Sequence, residues 1–293
     1  MRSTGDIKLI GVDLGGTKIL AGVVQDGKMT VSHKSLVPTA GSENDVLSAL
    51  FDSIDEIFDD EISGIGVGVP SVVDIKTGIV YDVQNIPSWK KVYLKDILER
   101  KYGISVYVNN DANCFAAGEN YFGKGRNYES FAAVINGTGM AAGIIIHNRL
   151  YNGSNCGAGE FGTMPYLDHN FEYYCSGQYF ENVHNVDGGI LFEQATAGDQ
   201  NALAIFDEFG GHFGYAINAI LYAIDPEVII LGGSVINAYS FFEKSMWKSI
   251  RKLSYSSVVN NLTIELSSDP NIAVLGAAAL YFDATNQKSE HYL

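Results

Sequence analysis

Three short stretches of this 293-residue chain bring together residue types that can handle phosphate and alcohol groups. The first is Asp13-Leu14-Gly15-Gly16-Thr17-Lys18, between two runs of β-branched and aliphatic residues. Glycines let the backbone come close to a phosphate, Thr17 and its neighbouring N–H groups can donate to phosphate oxygens, and Asp13 can hold Mg²⁺ directly or through water. The second is Asn136-Gly137-Thr138-Gly139, in the equivalent turn of a second, similar unit. Either turn alone is as well explained as an ordinary hairpin. Their pairing is the informative feature, because two such turns facing each other across a cleft would hold one triphosphate tail from both sides. No GxxxxGK[ST] run is present, and the helix that a GxGxxG dinucleotide site requires does not follow Gly16.

The third stretch, Asn109-Asn110-Asp111-Ala112, ends a strand pattern and starts a helical one. Most Asp residues so placed are N-caps. For phosphoryl transfer to an alcohol, however, a positioned carboxylate takes the hydroxyl proton, and Asn110 could hydrogen-bond a neighbouring hydroxyl. Two more acids are candidates. Glu160 stands in the glycine-rich run Asn152 to Pro165, which suits polyol binding or is a solvated loop. Glu172, ahead of Tyr173-Tyr174-Cys175, reads equally as a solvated helix-start residue. Gly232-Gly233, at the end of an Ile-Ile-Leu strand, offers bare backbone against which an adenosine could lie, or a simple strand-to-helix turn.

The elements that must position these groups alternate between strand and helix patterns. Lys8 to Gln25 reads as a β-hairpin around the glycine turn, followed by the turn Asp26-Gly27. Ser42 to Asp60 places Val46, Leu47, Leu50, Ile54, Ile57 and Phe58 at helical spacing behind polar caps. GIGVGVPSVVD returns as a buried strand, Leu94 to Tyr102 is a helix, SVYVNND a strand, and ANCFAAGENYF a helix. From Ser130 the order of the opening unit recurs: strand, Gly-Thr-Gly turn, strand, polar turn at His147-Asn148-Arg149. This is a weak internal duplication. Phe206 to Ile224 and Ile272 to Phe282 read as helices, with EVIILGGSV a buried strand between them. The pattern is that of an α/β chain of two related lobes around a shared cleft.

Composition narrows the partners. A formal net charge of -15 disfavours nucleic-acid backbones and anionic lipid and leaves a small polar or uncharged substrate as the easier ligand. Cys114, Cys156 and Cys175 form no CxxC pair and read as free thiols of a reducing compartment. The six histidines show no metal-ligand spacing, so no zinc site is expected. With no signal peptide and no run of about 20 apolar residues, the expected location is cytoplasmic.

Taken together the motifs resemble the ROK family (repressor, open reading frame, kinase) over nearly the whole chain. VDLGGTK at Val12 to Lys18 is similar to its first phosphate motif, GVGVPSVVD to its sugar-side strand and loop, and QNIPSWKKVYL at Gln84 to Leu94 to its Asn-Leu-Pro-x-Trp segment. NNDANCFAAGE is similar to its catalytic segment, NGTGMAAGI to its second phosphate motif, GAGEFGTMP to its sugar loop and ILGGSV to its adenosine segment. The resemblance implies an actin-like ATPase (ribonuclease H-like) fold, with an N-terminal lobe of residues 1–115, completed by 272–293, and a C-terminal lobe of 116–271.

It further implies a homodimer that phosphorylates a hexose or N-acyl hexosamine with ATP and Mg²⁺, favouring the 6-hydroxyl of a glucose-like sugar. In that scheme Asp111 is the catalytic base, and Asn85, Asn110, Glu160, Thr163 and Glu172 bind sugar. Gly15, Gly16, Thr17, Lys18, Gly137, Thr138, Gly139, Gly232 and Gly233 bind ATP, with Asp13 toward Mg²⁺. Two departures matter. Thr163 stands where the family usually has a His that also ligates zinc, and only Tyr166 to Phe171 separate Pro165 from Glu172, so the Cys-rich zinc loop is missing and a zinc-free member is implied. Ser71 stands where a Gly is usual, which could narrow the pocket. Repressors of the family carry a winged-helix segment ahead of the first phosphate motif, and about a dozen residues precede it here. A catalytically silent sugar-sensing regulator is the alternative, though retention of both Asp13 and Asp111 would then lack a reason.

Overall fold

The computed structural model describes residues 7–285; residues 286–293, counted above with the N-terminal lobe, and residues 1–6 lie outside the described residues. Strands β1 (Lys8–Leu14) and β2 (Lys18–Gln25) pair antiparallel across the Gly15-Gly16-Thr17 turn, with Leu14 opposite Ile19. Asp26 and Gly27 both have positive φ, 52° and 70°, as a tight hairpin turn requires, and lead into β3 (Lys28–Leu36). That third strand is absent from the sequence reading, because its outer residues are polar and mostly exposed.

Helix α1 (Glu43–Asp55) starts in a capping box: the Ser42 hydroxyl accepts from the Asp45 N–H, and the Asp45 carboxylate accepts from the Ser42 N–H. It stops short of the expected Asp60, because the Asp59 carbonyl accepts from Ile62 N–H in the turn that enters β4 (Ile62–Val69). A small antiparallel sheet, β5 (Val72–Asp74), β6 (Ile79–Tyr81) and β7 (Lys91–Val92), follows. Helix α2 (Leu94–Tyr102) has the expected bounds and ends on Gly103 in the left-handed region. Then come β8 (Ser105–Asn110) and α3 (Asp111–Tyr121).

The second round begins with β9 (Phe131–Asn136), β10 (Met140–Ile146) and β11 (Arg149–Leu150). A short hairpin of β12 (Pro165–Tyr166) and β13 (His169–Asn170) leads into α4 (Phe171–Cys175), α5 (Gln178–His184) and α6 (Gly188–Thr196). Helix α7 (Gln200–Ile224) begins a turn and a half before the expected Phe206, since the Asp199 carboxylate caps it by accepting from Ala202 N–H. The chain closes with β14 (Val228–Gly232), α8 (Tyr239–Ile250), α9 (Ser256–Asn261), β15 (Thr263–Leu266) and α10 (Ile272–Thr285).

The two main sheets have orders β3-β2-β1-β4-β8 and β11-β10-β9-β14-β15, which is the same order counted along the chain in each. In the first sheet β4 runs parallel to β1 and β8; in the second β14 runs parallel to β9 and β15. By contacts the described residues divide into two compact units, one of residues 7–127, 143–158 and 268–285, the other of 128–142 and 159–267.

In the first unit the run Gly64-Ile65-Gly66-Val67-Gly68-Val69 gives β4 two unlike faces. Ile65, Val67 and Val69 share one core with Ile10, Val12 and Leu14 of β1, Val46, Leu50 and Ile54 of α1, and Leu94 and Leu98 of α2. The glycine face lets backbone meet backbone. A Cβ on Gly66 would stand 1.7 Å from the Ala277 carbonyl oxygen of α10, and one on Gly11 would stand 2.0 Å from that of Val274. Helix α10 also lies on α3, where a Cβ on Gly276 would stand 1.7 Å from the Cys114 carbonyl oxygen. Buried on several sides, α10 is apolar nearly all round.

Gly66→Ala should therefore push α10 off the sheet and cost at least ~2 kcal/mol, lowering the melting temperature by about 5 °C or more. Gly157→Ala, with no heavy atom within 4 Å of the added methyl, serves as the control and should move it little. Thermal denaturation followed by circular dichroism reads both, and equal melting temperatures would contradict this packing.

Candidate active site

In the first unit, strand register builds the site. Asp13 of β1 lies beside Gly68 of β4, and Gly68 lies beside Asn109 of β8, so the three form one row at the carboxyl ends of parallel strands. Neighbouring strands lie about 4.8 Å apart, which places the outer two residues roughly 10 Å apart across a lane that Gly68 leaves bare. Open α/β sheets bind ligands at this end. The residues of the row share the face that carries Gly11 and Gly66, toward α3. A Cβ on Gly68 would stand 3.0 Å from Cys114 Sγ and 3.7 Å from Asp111 Cα. Burial pushes the Cys114 thiol well above its ordinary value, and the charges of Asp111 and then Asp13 push it further, so both carboxylates bear on the same spot.

Asp111 is the first residue of α3 and is half-buried; its carboxylate accepts from the Ala112 N–H at 2.9 Å. The cap itself is Asn110, whose Oδ1 accepts from that same N–H at 2.9 Å while its Nδ2 donates to the Ser71 carbonyl at 3.4 Å. The competing roles raised from sequence are thus divided: Asn110 caps the helix and Asp111 stands one residue further in. A set of amides missed in the sequence fixes the segment from below. Asn109 Nδ2 donates to Asn152 Oδ1 at 2.9 Å, Asn113 Nδ2 donates to Asn109 Oδ1 at 2.9 Å, and Asn109 Oδ1 also accepts from Asn110 N–H at 2.8 Å. The four-residue spacing of Asn109 and Asn113 around the strand-to-helix junction was the available signal. The cluster ties the start of the Asn152 to Ala158 loop to the segment that carries Asp111.

The first glycine turn is closed by Gly15 N–H donating to the Lys18 carbonyl at 2.9 Å. Thr17 and Lys18 are exposed at its tip, and the exposed Asn85 lies against Gly16, where an added Cβ would stand 2.9 Å from its Nδ2. Asn85 is therefore placed beside the phosphate-type turn. Asp13 is part-buried, and burial raises its carboxyl above the ordinary range. A divalent cation would offset that cost, and Mg²⁺ is commonly held by one or two carboxylates together with substrate phosphates. Among the described residues no group of three or more His, Cys, Asp or Glu is arranged to hold a metal ion.

In the second unit three glycine segments converge. Gly233 has φ of 92° and approaches so closely that a Cβ there would stand 2.2 Å from the Asn136 carbonyl oxygen. Gly177 N–H donates to the Gly137 carbonyl at 2.7 Å, Gln178 Nε2 to the Thr138 carbonyl at 2.9 Å, and Asn136 Nδ2 to the Cys175 carbonyl at 2.7 Å. Gly137 to Gly139 and Gly232-Gly233, chosen from sequence as separate ATP contacts, are thus brought together. Gln178 and Gly177 were not foreseen.

Glu160 precedes a short 3₁₀ turn, Phe161–Thr163, and is half-buried; burial first and the charge of Glu172 second raise its carboxyl. The exposed Thr163 donates its hydroxyl to the Glu160 carbonyl at 2.8 Å, so its side chain is engaged in the turn. Glu172 sits in the first turn of α4, and its Oε2 accepts from Met140 N–H at 3.0 Å. An aromatic brace steadies α4: Tyr166 stacks on Phe171 with centroids 4.5 Å apart, and its hydroxyl meets His212 Nδ1 at 3.1 Å.

A duplicated sheet order, each half opening on a glycine-turn hairpin, defines this molecule as an actin-like ATPase fold. The chain belongs to the ROK family, whose model matches residues 9–284. It is 30% identical to a glucokinase of Thermotoga maritima over 94% of this chain and 97% of that protein. It is similar to a ROK family glucokinase from Streptomyces griseus in complex with glucose and AMPPNP, with TM-score 0.80 and 28% identity over 93% of this chain and 98% of that one. It is also 28% identical to a xylose repressor of Bacillus subtilis, over 75% of this chain and 61% of that protein. Among the described residues no helix is long and apolar enough to cross a membrane.

Because burial raises the Asp13 carboxyl, the folded chain keeps its proton to a higher pH than the unfolded chain. Stability is consequently lost as pH rises from the ordinary carboxylate range through the folded value. Asp13→Asn removes this penalty. Without nucleotide or metal it should melt a few degrees above the parent at about pH 7, the gap narrowing as pH falls toward about 4. A variant that melts lower than the parent at neutral pH would contradict the assignment.

Proposed function

We propose that the protein transfers the γ-phosphoryl group of ATP to a hydroxyl of a hexose or N-acyl hexosamine, with the 6-hydroxyl of a glucose-like sugar as the preferred acceptor. The observation that carries the reading is the pair of carboxylates at one sheet end: Asp13, costly to ionise, and Asp111, one residue inside the cap of α3, both bearing on Cys114. One acid suits a cation and the other a proton. The kinship with proteins named glucokinase supports the substrate class.

In this reading Asp111 accepts the proton of the sugar hydroxyl as its oxygen attacks the γ-phosphorus in line. The new O–P bond forms while the bond from γ-phosphorus to the β-phosphate bridging oxygen breaks, and ADP leaves with that electron pair. Asn110 holds the start of α3 so that the carboxylate is fixed, and Glu160 and Glu172 accept hydrogen bonds from sugar hydroxyls. The N–H groups of the two glycine turns receive the phosphates, the Gly232-Gly233 backbone lies under the adenosine, and Lys18 offsets charge. Mg²⁺, held toward Asp13, would neutralise charge on the phosphate oxygens.

A coupled assay of ATP consumption over glucose, N-acetylglucosamine, N-acetylmannosamine, fructose, allose and a β-glucoside tests the reading. Sugar-dependent turnover is expected. A regulator that only binds sugar would show none, and that result would reject the kinase. Asp111→Asn should lower kcat by about 10²-fold or more with the circular dichroism spectrum unchanged; unaltered turnover would end the base assignment.

A further inference from the structure

Glu172 does more in the second unit than a sugar contact requires. Its Oε2 accepts from Met140 N–H at 3.0 Å, at the exit of the Asn136–Gly139 turn. A Cβ on Gly139 would stand 2.6 Å from that same oxygen. On the other side, Gly162, two residues after Glu160, approaches both: a Cβ there would stand 3.3 Å from Glu172 Cβ and 2.1 Å from the Met140 carbonyl oxygen. The sugar loop, the first turn of α4 and the exit of the phosphate-type turn are therefore one packed cluster. The effect of the Glu172 charge on the Glu160 carboxyl agrees with this proximity.

The turn is held by residues 172–178 at four points. Cys175, Gly177 and Gln178 hold Asn136, Gly137 and Thr138, and Glu172 holds Met140. Two of these links use backbone atoms of residues 175 and 177, and Gln178 is exposed. Glu172 makes its link through a part-buried side chain whose Cβ also lies against Gly162 of the sugar loop. A group with both attachments transmits occupancy from one to the other, since ordering it for one ligand reduces what the second must order.

We propose that Glu172 is a positioning residue that couples the sugar loop to the phosphate turn, so that bound sugar strengthens nucleotide binding and bound nucleotide strengthens sugar binding. The inference rests on the sugar-kinase reading and deepens it. Coupling between two ligands is reciprocal and typically falls between about 5-fold and 150-fold in affinity. It would make the protein bind ATP best when an acceptor is present, which limits the exposure of a bound triphosphate to water.

The test is calorimetric titration with Mg²⁺ and AMPPNP, with and without a saturating concentration of the sugar that the turnover assay identifies. In the parent, sugar should tighten AMPPNP binding about 5-fold or more. In Glu172→Ala that ratio should fall to near one, with AMPPNP bound more weakly even without sugar, whereas Glu172→Gln keeps an acceptor oxygen for Met140 N–H and should retain the sugar-free nucleotide affinity. Gly139→Ala approaches the link from the phosphate side and should weaken sugar binding although the residue belongs to the other half-site; it also decides the matter should Glu172→Ala fail to fold by circular dichroism. A parent ratio of one, a Glu172→Ala variant impaired for sugar alone, or unchanged sugar affinity in Gly139→Ala would each overturn the coupling. Absence of sugar-dependent ATP turnover in the parent would instead remove the reading beneath it.

Discussion

The closest constraint in the first unit is the contact of backbone with backbone across glycines. Gly11 and Gly66 let α10 lie on the sheet, and Gly276 lets α10 lie on α3 at Cys114. Because these approaches leave no space for a methyl group, α10 links the sheet to α3 through direct backbone contact. Asp111 is the first residue of that helix, and Asp13 is the last but one of the strand on which α10 rests. The geometry between a candidate base and a candidate cation ligand thus depends on the glycines that this face of the sheet places beneath α10. The other face of β1 and β4 supplies ordinary aliphatic burial, so stability and placement are divided between the two sides of one strand.

Chemistry and stability oppose each other at Asp13. A carboxyl raised by burial is a cost to the folded chain, and Asp13 carries it near the carboxyl end of β1. The glycines of the strands, Gly11, Gly66 and Gly68, are required by the packing of α10 and α3, whereas Gly15 and Gly16 weaken the turn in which they stand and leave backbone N–H groups bare at its tip. The second unit shows the same economy with different parts: Gly233 in a left-handed conformation beneath Asn136, Gly177 against Gly137, and a single carboxylate, Glu172, closing the turn exit.

Much of this was legible in the sequence because local rules govern it. The hairpin around Gly15-Gly16 follows from β-branched runs about a glycine pair, and α2 carries its own stop signal at Gly103. The equal sheet orders match the weak duplication read from the strand, glycine turn, strand order that recurs from Ser130. What escaped notice is non-local or depends on a single cap. The start of α7 is fixed by Asp199 ahead of polar Gln200 and Asn201, a signal that periodicity alone does not weigh. Glu172 meets Met140 across 32 residues, and Asn109 meets Asn152 across 43, so no window of sequence contains either bond. Asn110, expected to bind a sugar hydroxyl, also caps α3 through its Oδ1 and donates to the Ser71 carbonyl, contacts that residue type alone does not announce.

The central claim is that a carboxylate at the start of α3 receives a proton from an alcohol while phosphate is transferred to it. Phosphorus NMR of the protein mixed with Mg²⁺, ATP and glucose observes that transfer directly. The account predicts loss of the γ-phosphate resonance with matching growth of ADP and of one phosphomonoester coupled to the C6 protons of the sugar. An ATP spectrum unchanged by glucose and by every other hexose offered, or ADP with inorganic phosphate and no phosphomonoester, would contradict it.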